Sequence, residues 1–254
     1  MKLSRVRRKE RIGERFVLLE LEESGIAAQA KPGQFVMVRP FQEVFDPLLA
    51  RPFAVLRTQG DSFTLLFEVT GRGTALLARA EPGDVLSVLG PLGRGFSLDA
   101  SSGVLIAGGR GIVPLVFLAL EFLKRTIPSL FFVGVRERKE LALLRVLEGI
   151  PEVFWSCEEK VAGGFCGTVL DLVRRHLDAV FKSDAKVYAC GPEGMLRKLK
   201  EIFSGREEKV EVSLETRMGC GFGVCLGCAV PKKGGGYWHV CSDGPVFKLS
   251  EVML

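Results

Sequence analysis

Four of the seven cysteines, Cys220, Cys225, Cys228 and Cys241, follow the spacing C-x4-C-x2-C-x12-C near the C-terminus. That is the plant-type pattern of thiolate ligands to a [2Fe–2S] cluster. The first three lie in a glycine-rich run, E-T-R-M-G-C-G-F-G-V-C-L-G-C, from Glu215 to Cys228. Three thiolates wrap one small cluster only if the backbone folds tightly around it. Gly221, Gly223 and Gly227 are expected to permit left-handed or crowded backbone there and to bring amide N–H groups close to the sulfurs. Such hydrogen bonds stabilise the more negative, reduced cluster and so tune its potential. The fourth ligand lies beyond a lysine- and glycine-rich loop, Lys232 to Gly236.

A structural zinc clip is the competing use of four cysteines. Zinc ribbons pair one C-x2-C with a second across a long gap, whereas here three ligands crowd into nine residues. Rieske ligation needs two histidines, and His239 is the only one nearby. Disulfides fit poorly with an odd cysteine count and no secretory h-region, so the expected compartment is the reducing cytoplasm. Iron–sulfur chemistry makes electron transfer the leading function.

The chain has 254 residues, 47% hydrophobic and 26% charged, with net charge +5, which suits a soluble protein of two domains plus a small module. Its longest uncharged apolar stretch, Gly111 to Leu120, is far too short to span a bilayer, so no membrane partner is expected. Basic residues crowd the N-terminus (Lys2, Arg5, Arg7, Arg8, Lys9, Arg11), but Glu10 and Glu14 interrupt them. They read as the solvated face of a first strand rather than a nucleic-acid arm.

Residues 1–99 alternate short β-rich runs with turn signals such as Lys31-Pro32-Gly33 and Glu81-Pro82-Gly83-Asp84. Strands are expected over Gln34–Arg39, Pro52–Leu56, Phe63–Val69 and Val85–Leu89, forming an antiparallel barrel of about six strands with one short helix, Thr74–Ala80. Around Gly103 the rhythm changes to alternating strands and helices. Strands Val104–Ala107, Leu130–Val135, Val153–Trp155 and Lys186–Cys190 are expected to alternate with helices Pro114–Lys124, Lys139–Leu147, Thr168–Leu177 and Glu193–Phe203. The fold class is therefore β-barrel plus α/β: a doubly wound parallel sheet over 100–210 follows the barrel, and a small [2Fe–2S] module covers 211–254.

Three barrel segments suit a flavin dinucleotide. Arg51 in Arg51-Pro52-Phe53-Ala54 offers a bidentate partner for pyrophosphate, and its strand neighbours lie along a flat ring. Gly71-Arg72-Gly73-Thr74 opens a helix with exposed N–H groups and a hydroxyl for phosphate. Gly90-Pro91-Leu92-Gly93-Arg94-Gly95-Phe96 is a compact closing loop. In the second domain Gly108, Gly109 and Gly111 follow a buried strand and open a helix, as a phosphate-approach loop does. Cys190-Gly191-Pro192 ends a later strand on the same sheet edge. Cys190 is equally read as a buried structural thiol, and Cys157 and Cys166 as core or loop residues.

The segments P-G-Q-F, R-P-F-A, G-R-G-T, G-P-L-G-R-G-F, A-G-G-R-G-I-V-P-L and C-G-P occur in the order seen in the ferredoxin–NADP⁺ reductase superfamily, which the chain resembles along essentially its whole length. Its cysteine-rich tail resembles that of the electron-transfer subunits of dihydroorotate dehydrogenase B. The resemblance implies an FAD and [2Fe–2S] protein that joins an FMN-containing catalytic subunit, as a heterotetramer, in pyrimidine biosynthesis. Electrons would pass from FMN through the cluster to FAD and leave as hydride to NAD⁺. It also implies that Arg51 binds the FAD pyrophosphate, that Pro52, Phe53 and Ala54 border the isoalloxazine, and that Gly71, Gly73 and Thr74 complete the phosphate site. Gly108, Gly109 and Gly111 would line the nicotinamide nucleotide site, with Cys190, Gly191 and Pro192 near its ring.

Two departures stand out. Ala54 occupies a place that is commonly Ser or Thr, which shifts the expected hydrogen bond to a backbone donor. Arg110 stands where the family usually has an aliphatic residue, and with Arg136, Arg138 and Lys139 it leaves NADP⁺ or another acceptor open. The alternative function is a subunit of another flavin and iron–sulfur reductase, sulfhydrogenase-like or a ferredoxin–NAD(P)⁺ oxidoreductase. A third reading is a non-redox nucleotide binder with a zinc clip. No residue suggests itself as the base that would take a proton from dihydroorotate, so that step is expected of a partner.

Overall fold

The computed structural model describes residues 1–40, 46–182 and 184–254. Strands β1 (Lys2–Ile12), β2 (Phe16–Glu22), β3 (Phe35–Arg39), β4 (Arg51–Gln59), β5 (Ser62–Glu68) and β6 (Val85–Leu92) close a barrel in the order β1-β2-β5-β4-β3-β6. Every pairing around it is antiparallel, and β1 seals it against β6 through Lys2↔Val88 to Arg5↔Val85. Alternation drives this. On β2, Val17, Leu19 and Leu21 fill the interior with Val36, Val38, Phe63, Leu65 and Val88. Basic residues of β1 form ion pairs at the surface, among them Lys2 with Glu23 at 3.0 Å and Arg7 with Asp61 at 2.9 Å.

The barrel carries two short helices rather than one. Helix α2 (Arg72–Leu77) begins two residues earlier than expected and ends before Ala80. Helix α1 (Ser24–Gln29) was not anticipated; the Glu23 carboxylate accepts the Ile26 amide at 2.5 Å and caps it. Six residues are too few to display a helical period, so only that cap could have announced it.

The second unit is a seven-stranded sheet ordered β10-β9-β8-β7-β11-β12-β15. Its strands are β7 (Gly103–Gly108), β8 (Ser129–Val135), β9 (Val153–Cys157), β10 (Phe165–Cys166), β11 (Lys186–Cys190), β12 (Val210–Ser213) and β15 (Val246–Lys248). All pair in parallel except β15, which runs antiparallel to β12 at the edge. Strand β15 belongs to the cysteine-rich tail, so the tail extends the nucleotide sheet. Both faces are covered. Leu105 and Ala107 meet α3 (Ile112–Lys124), while Val104 and Ile106 meet α4 (Val169–Arg175) and α6 (Glu193–Ile202). The expected helix Lys139–Leu147 is a 3₁₀ run, Arg138–Leu147. The expected helix Thr168–Leu177 breaks at His176, whose Nδ1 lies 2.9 Å from the Leu172 carbonyl, and resumes as α5 (Leu177–Lys182).

Strand order reverses between β7 and β11, so their C-terminal ends bound the crevice where ligands of such sheets bind. Contact there is very close. A Cβ on Gly111 would lie 2.0 Å from the Cys190 carbonyl oxygen. Gly111→Ala is therefore expected to destabilise the protein by about 1–3 kcal/mol, the usual cost of overpacking a site that must move backbone. Urea unfolding monitored by circular dichroism measures this; an unchanged midpoint would show that the crevice opens freely.

Candidate redox site: a thiolate clip beside two cavities

The clip runs from Glu215 to Cys241, with a two-stranded sheet of β13 (Ala229–Pro231) and β14 (Tyr237–His239) bringing the fourth cysteine back. The thiols form two neighbourhoods. Cys228 and Cys241 are buried, with sulfurs 3.2 Å apart. Cys220 and Cys225 lie nearer solvent, the Cys225 amide donating to the Cys220 sulfur at 3.4 Å. Further amides point at sulfur: Phe222 to Cys220 at 3.5 Å, Gly223 to Cys241 at 3.1 Å and Cys241 to Cys228 at 3.4 Å.

Gly221 and Gly223 take positive φ, as expected. Gly227 does not; Leu226, at φ 57°, takes the left-handed turn instead, an unfavourable state for a non-glycine residue. A Cβ on Gly221 would stand 2.4 Å from Met37 Cγ, so its role is also to let the loop press on β3.

These thiols fit a two-iron cluster. Two pairs of sulfurs, each supplied with backbone donors, match the donor set of an anionic iron–sulfur centre. Among the described residues no three such side chains surround a single ion. The environment acts unequally on the free thiols. Burial raises Cys220, but the amides of Cys225 and Phe222 outweigh it and bring the thiol down to about 6. Burial, with Cys228 adding to it, pushes Cys241 up to about 12.

A cavity of about 300 Å³ opens between barrel, sheet and clip. Arg51, Pro52, Phe53, Ala54, Thr74 and Cys190 line it. Phe35, Leu66, Val113 and Pro114 add apolar wall, while the clip supplies Glu215, Thr216 and Met218. The Thr216 hydroxyl oxygen is buried there without a hydrogen-bond partner. Apolar walls, an arginine at the edge and an orphaned hydroxyl suit a flat heteroaromatic ring with a phosphorylated tail.

Gly71 and Gly73 do not line this cavity. A Cβ on Gly73 would lie 2.5 Å from Arg51 Nε, so Gly73 makes room for the guanidinium, which also donates to the Leu49 carbonyl. The Thr74 hydroxyl accepts the amides of Thr70 at 2.9 Å and Gly71 at 3.1 Å, capping its own helix.

A second cavity, of about 570 Å³, lies over the sheet crevice and is lined by Gly108, Gly109, Gly111, Gly191 and Pro192. Arg136 and Lys198 bring positive charge to it, and Glu140 and Glu158 bring carboxylates. The Cys190-Gly191-Pro192 turn thus joins the two cavities, its cysteine in one and the next two residues in the other. Arg110 also lines this second cavity, and its guanidinium is 3.2 Å from Glu68. Arg138 and Lys139 lie at the surface beside Glu159 and Glu137. Sequence reasoning passed over Glu68, Thr216 and Met218 as lining residues. Residues 215–218 carried a signal, since they directly precede the first cluster cysteine.

A six-stranded barrel, a doubly wound nucleotide sheet and a cysteine clip at their junction define an iron–sulfur reductase of the ferredoxin–NADP⁺ reductase fold. The structure superposes on the NADH-dependent reduced ferredoxin–NADP oxidoreductase of flavin-based electron bifurcation with TM-score 0.81 at 24% identity, covering 100% of this chain and 90% of that one. A ferredoxin reductase from carbazole 1,9a-dioxygenase gives 0.70 at 18% identity, covering 83% of this chain and 68% of that one. Residues 105–201 match the oxidoreductase NAD-binding domain, and residues 215–253 match the iron–sulfur cluster binding domain of dihydroorotate dehydrogenase B. The dihydroorotate dehydrogenase B (NAD(+)) electron transfer subunit of Desulforamulus reducens is 38% identical, covering 92% of this chain and 91% of that protein. Its counterpart in Geobacillus thermodenitrificans is 37% identical, covering 96% and 95%. The chain belongs to the family of dihydroorotate dehydrogenase B electron transfer subunits.

Burial, with the Glu215 charge adding to it, pushes the Cys190 thiol far above its ordinary range, which keeps it protonated and slow to alkylate. Cys166 is exposed. With cluster-loaded protein, iodoacetamide at pH 8 is expected to label Cys166 and spare Cys190. Peptide mass spectrometry decides the matter, and early loss of unlabelled Cys190 would contradict its placement.

Proposed function

We propose that this chain is the electron-transfer subunit of an NAD-dependent dihydroorotate dehydrogenase, working in pyrimidine biosynthesis in the cytoplasm. One observation carries the reading: Glu215, Thr216 and Met218, which lead directly into Cys220, are themselves walls of the flavin cavity. When bound, the [2Fe–2S] cluster handles single electrons, and FAD converts them to the two-electron chemistry of the NAD⁺ acceptor.

The chain's own residues bind and orient. Cys220, Cys225, Cys228 and Cys241 would hold the cluster, and the amides of Phe222, Gly223, Cys225 and Cys241, which donate to the sulfurs, would stabilise its negative charge. Arg51 holds the FAD pyrophosphate, kept in place behind Gly73, while Pro52, Phe53 and Ala54 border the ring and Thr216 offers it a hydroxyl. Gly71 and Thr74 act at one remove by shaping the turn that starts α2. Gly108, Gly109 and Gly111 admit the acceptor's phosphates close to the backbone, and Cys190, Gly191 and Pro192 border its nicotinamide end. Glu140 lies beyond the second strand of the sheet, β8, where a carboxylate reads an unphosphorylated ribose, and Glu158 adds a second carboxylate after β9; both favour NAD⁺ over NADP⁺.

The proton chemistry of dihydroorotate belongs to an FMN-containing catalytic partner. Of the two histidines, His176 packs on Phe132 and Phe154, and His239 lies 3.7 Å from Asp243; neither lines either of the two cavities described above. Phe222, Val224 and Leu226 stand exposed around the outer thiols, an apolar surface suited to a protein partner in a heterotetramer.

Arg51→Ala is expected to lose flavin during gel filtration while keeping its iron, because no other side chain offers so rigid a fork to a diphosphate. Flavin-to-iron ratios measure this, and full flavin retention would reassign the strand. For the function as a whole, the chain is mixed with an FMN-containing dihydroorotate dehydrogenase and NAD⁺ reduction is followed. The chain alone is expected to be inert toward dihydroorotate and the mixture active. No complex on sizing, and no gain on mixing, would overturn the proposal.

A further inference from the structure

The two cavities share three lining residues, Glu68, Arg110 and Glu215. Each comes from a different part of the chain. Glu68 ends β5 of the barrel, Arg110 sits in the turn after β7, and Glu215 follows β12 at the start of the clip. Together they form the neck between the nucleotide cavity and the flavin cavity.

Charge at this neck is unevenly compensated. Glu68, only 8% exposed, is held between two guanidiniums, Arg110 at 3.2 Å on one oxygen and Arg15 on the other. Arg15 in turn lies 3.4 Å from Glu137. These four groups cancel. Glu215 is exposed and, among the described residues, forms no ion pair. Its field still reaches inward, since it acts on the buried Cys190 thiol that lines the flavin cavity.

The oxidised nicotinamide ring carries a fixed positive charge and the reduced ring carries none; the rest of the dinucleotide is identical. A lone carboxylate at the neck therefore distinguishes the two redox states by Coulomb attraction alone, more strongly than in bulk water because protein screens less.

We propose that Glu215 sets this chain's preference for oxidised over reduced nicotinamide, and that Arg110 limits the preference by neutralising Glu68. The proposal rests on the assignment of the second cavity as the nicotinamide site. Glu215 and Arg110 act as specificity-determining residues for binding.

Calorimetric titration of flavin- and cluster-loaded protein in its oxidised state tests it with three ligands. These are NAD⁺, 1,4,5,6-tetrahydro-NAD as a neutral and redox-inert stand-in for NADH, and ADP-ribose, which lacks the ring. Glu215→Gln keeps the shape and removes the charge, and is expected to weaken NAD⁺ by about tenfold while leaving the other two unchanged. Arg110→Gln leaves Glu68 only partly compensated and should move the NAD⁺ preference the opposite way. Added salt should shrink the Glu215 effect. The visible spectrum confirms that each variant retains its cofactors. Equal shifts for NAD⁺ and tetrahydro-NAD, no shift at all, or shifts of the same sign in both variants would overturn the proposal while the cavity assignment stands. Failure of ADP-ribose to bind the unmodified protein would instead bring down the assignment and this inference with it.

Discussion

The pressure of the cysteine loop on the barrel is the contact on which the rest depends. Gly221 approaches Met37 so closely that a single added carbon would clash. Met37 and Phe35 share one buried cluster with Cys228, Cys241 and Phe247 of the tail and with Ile106 and Val187 of the nucleotide sheet. One hydrophobic cluster therefore runs through barrel wall, sheet and clip and packs the three together. Electron transfer imposes that economy, because centres in series must lie close together in a fixed arrangement. A flexibly tethered clip would lose it.

A second joint holds the nucleotide half. Glu211, on β12, accepts both the amide and the hydroxyl of Ser97 at 2.9 and 2.5 Å, and Lys186 lies 3.3 Å from it. The Tyr188 hydroxyl donates to the Ser97 carbonyl at 3.1 Å. This partly buried polar network pins the segment leaving the barrel to β11, which bounds the crevice, and to its neighbour β12. Buried polar groups with full partners resist shear more than apolar packing alone, since sliding would strand them without hydrogen bonds.

The clip itself is polarised. Cys228 and Cys241 are sunk in the core, whereas Cys220 and Cys225 face outward among Phe222, Val224 and Leu226. The inner pair is insulated from water, and the outer pair is within reach of another protein. Backbone amides serve both sides, so the loop's hydrogen bonds are directed at sulfur rather than at a regular ladder. That explains why so few residues of this segment belong to strands and why Leu226 tolerates a left-handed backbone.

Much of this was legible in the residues. Cysteine spacing announced the clip, alternation announced the barrel, and the change to long strand–helix alternation near Gly103 announced the parallel sheet. These are local properties: spacing, period and turn chemistry are written in neighbouring residues. Helix α1 escaped because six residues carry no period, and the helix expected through Leu177 broke at His176. What only tertiary structure decided is which distant residues meet. Nothing near Glu68 in sequence signals Arg110, yet both end at one neck, and Thr216 belongs to the clip by sequence but by position to the cavity between barrel and sheet. Gly73 reads as a phosphate glycine, and only the fold shows that its missing side chain leaves room for Arg51. Such roles depend on contacts between residues far apart in the chain, and those are set by how the three parts bury their apolar faces together, which no local pattern records.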